Sequence, residues 1–293
     1  EEIFRRALNE KAFHLTELSM GSHIVTTARG DAAYIGVPVF LSRVFRHSAM
    51  FVRTDRGIRS PADLAGRRIG VPEYQQTAGM WVRGILRDQY GVDTTKMTWF
   101  TGGQEKPGIA ERIALDLPPH IDVRPIGPTE TLNGLLAAGE IDAIFSPRPP
   151  SCFVQKTAPV DRLFSNYREA EMDYFRKTRF FPIMHTLAVR KDIAEAHPWL
   201  PAKLFAAFAK AKAMSLAELA QNNVLRVALP WVASWYEEAR VLMGPNIWPY
   251  GFRENREEIA AMTRYAHADG LAARVVDPAE LFHPSTLDLA DAA

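Results

Sequence analysis

Five stretches of this sequence gather side chains able to hold an anion or move a proton. Ser42-Arg43-Val44-Phe45-Arg46-His47-Ser48 sets two arginines and a histidine between two apolar segments. A guanidinium offers a planar fork of donors that matches a carboxylate, although either arginine could instead be a solvated surface charge. Val71-Pro72-Glu73-Tyr74-Gln75-Gln76-Thr77-Ala78 leads from an apolar segment into a helical pattern. Backbone N–H groups at such a helix start favour anions, and Gln75 and Thr77 add side-chain donors. Glu73 is either a base or a charge at the helix start, a placement that stabilises by about 0.3–1 kcal/mol. His185, in Phe180-Phe181-Pro182-Ile183-Met184-His185-Thr186, is either a proton donor or a packed core histidine. Arg148 follows the apolar stretch 141–145, and Glu17 and Ser19 close an alternating stretch with His14 and His23 nearby.

The elements that must position these groups are legible in outline. Residues 1–12 read as a helix, and 13–18 alternate as a strand. Ser19-Met20-Gly21-Ser22 reads as a turn with cap residues. Residues 34–40, 49–53, 122–126, 141–145 and 186–190 read as strands. Ser60 to Gly66 reads as a capped turn leading into a strand, and a helix after Gln76 ends near Gly91. Residues 131–138, 201–219, 230–242 and 253–269 read as helices. Strands alternating with helices predict parallel α/β lobes. Trp231 and Trp235, four apart, predict a buried helix face. Trp248-Pro249-Tyr250-Gly251 reads as a loop that either covers the cleft or, the favoured reading, packs on the first lobe.

Composition narrows the class. With 35 basic and 34 acidic side chains, the +1 net charge argues against nucleic-acid binding. The single cysteine, Cys152, allows no internal disulfide and reads as inert beside prolines, so nothing indicates an oxidising compartment. No apolar run approaches the ~18 residues a membrane helix needs. The opening Glu1-Glu2-Ile3-Phe4 has no signal-peptide pattern, which gives a cytoplasmic expectation. Eight histidines form no His-x-x-x-His or His-Glu-x-x-His pattern. Only folding could bring His14, His23, His47 and His185 together, and no metal is expected.

Three segments carry a resemblance. Residues 55–72, with Ser60-Pro61-Ala62-Asp63-Leu64-Ala65-Gly66-Arg67-Arg68-Ile69-Gly70-Val71, resemble the lobe-to-lobe crossover of type II periplasmic binding proteins. Leu135-Leu136-Ala137-Ala138-Gly139-Glu140-Ile141-Asp142-Ala143 is similar to a helix-to-strand element of the same fold, and Ala188-Val189-Arg190-Lys191-Asp192 to its return. This implies a two-lobed α/β architecture with the ligand cleft between lobes. Lobe one is expected over 1–58 and 186–293, and lobe two over 59–185. Phe13-His14-Leu15-Thr16-Glu17-Leu18-Ser19, the stretches 37–48 and 71–78, Trp81-Val82-Arg83-Gly84-Ile85-Leu86 and Gly102-Gly103-Gln104-Glu105 narrow it further. They resemble the 4,5-dihydroxyphthalate decarboxylases, over residues 1–252. Members of that family carry a strand and loop ahead of the helix that opens this sequence. The expectation is a trimmed start or a first lobe completed differently.

The resemblance implies loss of carbon dioxide from a dihydroxylated aromatic dicarboxylate, leaving 3,4-dihydroxybenzoate, with no redox cofactor. Such a reaction must protonate the ring carbon that carries the departing carboxylate. It must also anchor the spared carboxylate with cations. The catalytic candidates are then His185 as proton donor to the ring, Glu73 as base for a catechol hydroxyl, and His47. The substrate-binding candidates are Arg46, Arg43, Gln75, Thr77, Arg148, Glu17 and Ser19. The partner is a small aromatic carboxylate, and self-association is left open. The competing reading is a transporter's solute-binding protein, with the same fold and no chemistry.

Overall fold

The computed structural model describes residues 2–221 and 223–291. The chain builds two sheets. The first has the order β1 (Leu15–Ser19), β9 (Ile183–Arg190), β2 (Tyr34–Arg43), and both pairings are antiparallel. The second has the order β6 (Asp122–Pro125), β5 (Thr98–Thr101), β4 (Arg68–Val71), β7 (Ala143–Phe145), β3 (Met50–Arg53), β8 (Val160–Arg162). Its first four strands are mutually parallel, and β3 runs antiparallel to both neighbours. Only the second sheet therefore follows the parallel pattern expected of both lobes.

The helices are α1 (Glu2–Arg5), α2 (Met20–Arg29), α3 (Thr77–Tyr90), α4 (Leu132–Ala138), α5 (Ser151–Val154), α6 (Tyr167–Thr178), α7 (Lys191–Ala196), α8 (Leu200–Leu219), α9 (Val232–Met243) and α10 (Phe252–Ala268). α1 widens into a π-helical turn over Arg6–Glu10 and stops at left-handed Lys11. The stretch that reads as a turn at Ser19 to Ser22 is the start of α2, with Ser19 at its N-cap position. Gly, Thr and Ser make that helix weak by propensity. Its burial supplies what propensity lacks, since residues Met20 to Val25 are all inside.

Two cores meet in α3. Met80, Trp81 and Ile85 pack with α2, β2 and α10, alongside Ile24, Phe40, Met262 and Tyr265. Val82 and Leu86 pack on the second sheet with Ile69, Trp99 and Phe145. Each such side chain stabilises by about 1.5–3 kcal/mol when fully buried. The helix is thus held from both sides, and its first turn is fixed between the two sheets. Gly84 permits this, because a Cβ there would sit 2.3 Å from the Tyr265 ring. Arg83 Nε and Arg87 Nη1 bind opposite oxygens of buried Asp269, at 2.7 and 2.5 Å, and tie α3 to the end of α10.

Three expectations need correction. The chain leaves the first sheet before β3 and rejoins it at Ile183, so both crossings precede the expected boundaries at 58 and 185. Trp231 and Trp235 are exposed by 65% and 46%, so they are surface rather than core. Elements over 98–101, 160–162 and 167–178 carried no clear periodicity and were unexpected. Trp248 and Tyr250 pack on the first lobe, with Trp248 Nε1 donating to the Phe40 carbonyl at 2.7 Å.

Candidate active site

The second sheet's parallel strands end at one edge. β4 runs into Glu73 to Thr77, β5 into Gly102 to Ile109, and β7 into Ser146 to Arg148. Open α/β sheets place ligands outside those strand ends. The first sheet presents a matching row there. Ser19, His185 and Ser42 are directly opposed across β1, β9 and β2, so their side chains share one side.

Between these edges lies a cavity of about 390 Å³. Ser19, Ser42, Met184 and His185 come from the first sheet, Arg46 from the outgoing crossing, and Gln76 and Thr77 from the start of α3. Arg112 and Arg148 come from second-lobe loops, and Phe4 from α1. A second space of about 290 Å³ adjoins it, sharing Gln76, Pro147 and Arg148.

His185 Nδ1 is 2.6 Å from Glu17 Oε1, and both side chains are about a third exposed or less. The carboxylate accepts from Nδ1–H, which fixes the ring and leaves Nε2 without a protein partner among the described residues. The Phe4 ring lies 4.7 Å from the His185 ring.

Arg46 is buried, and no carboxylate reaches it within ion-pair distance among the described residues. Its Nε and Nη2 donate instead to Met184 Sδ, at 3.2 and 2.6 Å. A thioether accepts weakly and carries no charge. Burial lowers the Arg46 pKa to about 10, opposed by Glu171. The cation thus keeps its charge and its need for an anion.

Ser19 and Thr77 join the two sides of the cleft through their hydroxyls at 2.8 Å. The Gly21 amide also donates to Thr77 Oγ1 at 2.9 Å. A Cβ on Gly21 would meet the Gln75 carbonyl at 2.9 Å, so this approach needs glycine.

The other expected residues lie elsewhere. Arg43 points away from this cavity, into a separate one of about 430 Å³. There it is spent on Glu258, Asn255 and the carbonyls of Phe181 and Pro249. Burial raises Glu258 to about 7, opposed by Arg43. Arg43 is therefore structural, not a substrate anchor. His47 is fully buried among Tyr90, Phe164 and Tyr174, with neither ring nitrogen hydrogen-bonded. Desolvation lowers its pKa to about 4, and it cannot reach a ligand. Glu73 lines only the adjoining space and is buried against Arg112, Nη2 to Oε1 at 2.5 Å. Gln75 is buried as well, donating to Glu73 and accepting from Ser22. Both position the α3 start rather than face His185.

His23 is buried against the Leu281 carbonyl, and His14 is exposed. Among the described residues, no three His, Cys, Asp or Glu side chains converge as ligands for a metal ion. Phe4, Arg112, Ser42, Gln76 and Met184 were not anticipated. Ser42, Gln76 and Met184 lie inside the quoted stretches 42–48, 71–78 and 180–186, so adjacency to a candidate was the signal that could have found them; Phe4 and Arg112 carried none.

Comparisons with known proteins agree with this architecture. Residues 36–111 match the sequence family described as NMT1/THI5 like. The fold is shared with the periplasmic aliphatic sulphonate binding protein SsuA of Escherichia coli, at TM-score 0.54 and 15% identity, covering 97% of this chain and 84% of that one. The alkanesulfonate-binding SsuA of Xanthomonas axonopodis pv. citri gives TM-score 0.52 at 16% identity, covering 95% and 83%. In sequence, a 4,5-dihydroxyphthalate decarboxylase of Comamonas testosteroni is 46% identical over 98% of this chain and 87% of that protein. One of Pseudomonas putida is 48% identical over 60% of this chain and 68% of its own length. The chain belongs to the 4,5-dihydroxyphthalate decarboxylase family.

Proposed function

We propose that this chain is a carboxy-lyase that converts 4,5-dihydroxyphthalate to 3,4-dihydroxybenzoate and carbon dioxide, within the His185 cavity. One arrangement carries the assignment of the site: a carboxylate-held histidine facing arginines in a single cleft. The cavity volume of about 390 Å³ suits one substituted benzene ring.

The substrate is a dianion with vicinal carboxylates. Arg46, whose side-chain hydrogen-bond partner among the described residues is the Met184 sulfur, anchors the spared carboxylate, and Arg148 lines the same cavity with Arg112, whose charge is already paired with Glu73. The hydroxyls of Ser19, Ser42 and Thr77 can meet the catechol oxygens. The hydroxyl para to the departing carboxylate pushes electron density onto that ring carbon. His185 delivers the proton there from Nε2, and Glu17 stabilises the imidazolium that gives it. The carbon–carbon bond then breaks, its electron pair restores the aromatic ring, and carbon dioxide leaves. No net oxidation occurs, so the balance needs no redox partner.

Incubation of the purified protein with 4,5-dihydroxyphthalate, followed by chromatography, tests this. Stoichiometric 3,4-dihydroxybenzoate, with and without a chelator, is the expected result. Compound that is bound but recovered unchanged would move the chain to the binding-protein reading. Turnover abolished by the chelator would replace side-chain acid chemistry with a metal-assisted route.

A further inference from the structure

We infer that Phe4 sets the specificity of this site, making it select a planar aromatic dianion over a saturated one of the same charge and carboxylate spacing. The inference deepens the proposed function and rests on it.

Apart from His185, Phe4 is the aromatic ring among the residues lining the cavity, whose other walls are mostly polar or cationic. The fold gives it little else to do. It is half-buried and belongs to none of the hydrophobic clusters. The anchor of its own segment is Ala7, packed with Leu18, Tyr34 and Ala188. The ring contacts of Phe4 are two site residues from opposite sides of the cleft. His185 lies 4.7 Å away at 53° between planes, and Arg112 Cζ lies 5.7 Å from the ring centroid.

The arginines of the cavity, Arg46 foremost since Arg112 is paired with Glu73, would attract any small dianion. They cannot distinguish a benzene ring from a cyclohexane ring bearing the same two carboxylates. An aromatic wall can, because offset or edge contact between two rings adds to plain area burial. Phe4 also covers one side of His185, so a flat substrate entering beside it meets the proton donor in a water-poor setting.

The test compares phthalate with cis-cyclohexane-1,2-dicarboxylate by calorimetric titration, using the unaltered protein, Phe4→Ala and Phe4→Trp. The unaltered protein should prefer phthalate by about three- to tenfold. Phe4→Ala should bring that ratio close to one while keeping affinity for the saturated dianion, and Phe4→Trp should retain the preference. A preference that survives Phe4→Ala, or equal loss of both ligands, overturns the inference. Turnover of 4,5-dihydroxyphthalate by the same unaltered preparation separates the two failures. Turnover with a ratio indifferent to Phe4 removes the Phe4 role alone. Neither turnover nor binding of either dianion removes both readings.

Discussion

Glu17 holds His185 diagonally rather than directly across the β1–β9 pair: Ser19 is the opposed residue, yet Oε1 of Glu17 reaches Nδ1 at 2.6 Å. This leaves the directly opposed Ser19 hydroxyl for the cavity and for Thr77. A histidine held on one nitrogen and open on the other is set up to pass a proton. His185→Gln should lower kcat by about 10²- to 10⁴-fold and change substrate affinity little. Glu17→Gln should lower kcat less. Initial rates of product formation decide this, and a His185→Gln enzyme with more than a tenth of normal kcat would remove His185 from the chemistry.

Arg46 offers a different signature, because its partner is Met184 sulfur. Replacing it removes a charge-assisted contact to substrate worth about 1.5–3 kcal/mol, but breaks no ion pair at contact distance among the described residues, Glu171 acting on it only from further off. Arg46→Met should therefore weaken substrate binding by about 10- to 100-fold and leave unfolding by urea unchanged or slightly harder. Lost stability with intact affinity would make Arg46 a structural residue.

His47 tests the opposite assignment. Its folded pKa is about 4, below the unfolded 6.5, because burial penalises the cation. Its contribution is full above pH 6.5 and is lost as pH falls toward 4, by about 1.4 kcal/mol per pH unit. His23, also lowered to about 4 by burial, adds a second loss of the same sign. Glu111 and Glu258, both raised to about 7 mainly by burial, act oppositely, losing stability as pH rises from 4.5 to 7. The raw curve is thus flattened, and the difference between variant and parent isolates His47. His47→Phe should flatten acid destabilisation below pH 6.5 and keep kcat within a few-fold. A hundredfold loss of kcat, with the fold intact, would return His47 to the active site.

The join between α3 and α10 should be the costliest polar contact to break. Asp269 is fully buried and answers both Arg83 and Arg87. Asp269→Asn leaves those cations without a counter-charge, at about 3–5 kcal/mol. Chemical denaturation measures this directly. A loss below about 1 kcal/mol would mean the two arginines reach water in the variant.

Local patterns in the sequence determined much of this protein. The helix from Thr77 to Tyr90 was readable from its apolar period and the glycine that follows it, and Gly91 does close it with φ 64°. The capped turn at Ser60 was readable from the Ser-Pro-x-Asp spacing, and its capping box is present. Glu17, Ser19, Arg46, Thr77 and Arg148 were singled out because they lie at or after strand ends or open a helix, and His185 because it precedes the return strand on an apolar approach. The fold gathers five of them around one cavity, with Glu17 behind His185.

Tertiary structure decided which of several similar residues matter. Arg43, Arg46 and His47 stand within five positions and look alike on paper. An irregularity in the β2–β9 register between Ser42 and Arg43 separates them. Arg43 turns to Glu258 on α10, Arg46 to the cleft, and His47 to an aromatic cage. Glu73 looked like a base until Arg112, 39 residues away, answered its charge. Phe4 and Arg112 lie in segments without a motif, and only the meeting of distant chain segments makes them neighbours. Periodicity and caps report interactions within a few residues, so the sequence displays them directly. A side chain's partner across a cleft depends on register, twist and the approach of two sheets, which no local pattern encodes.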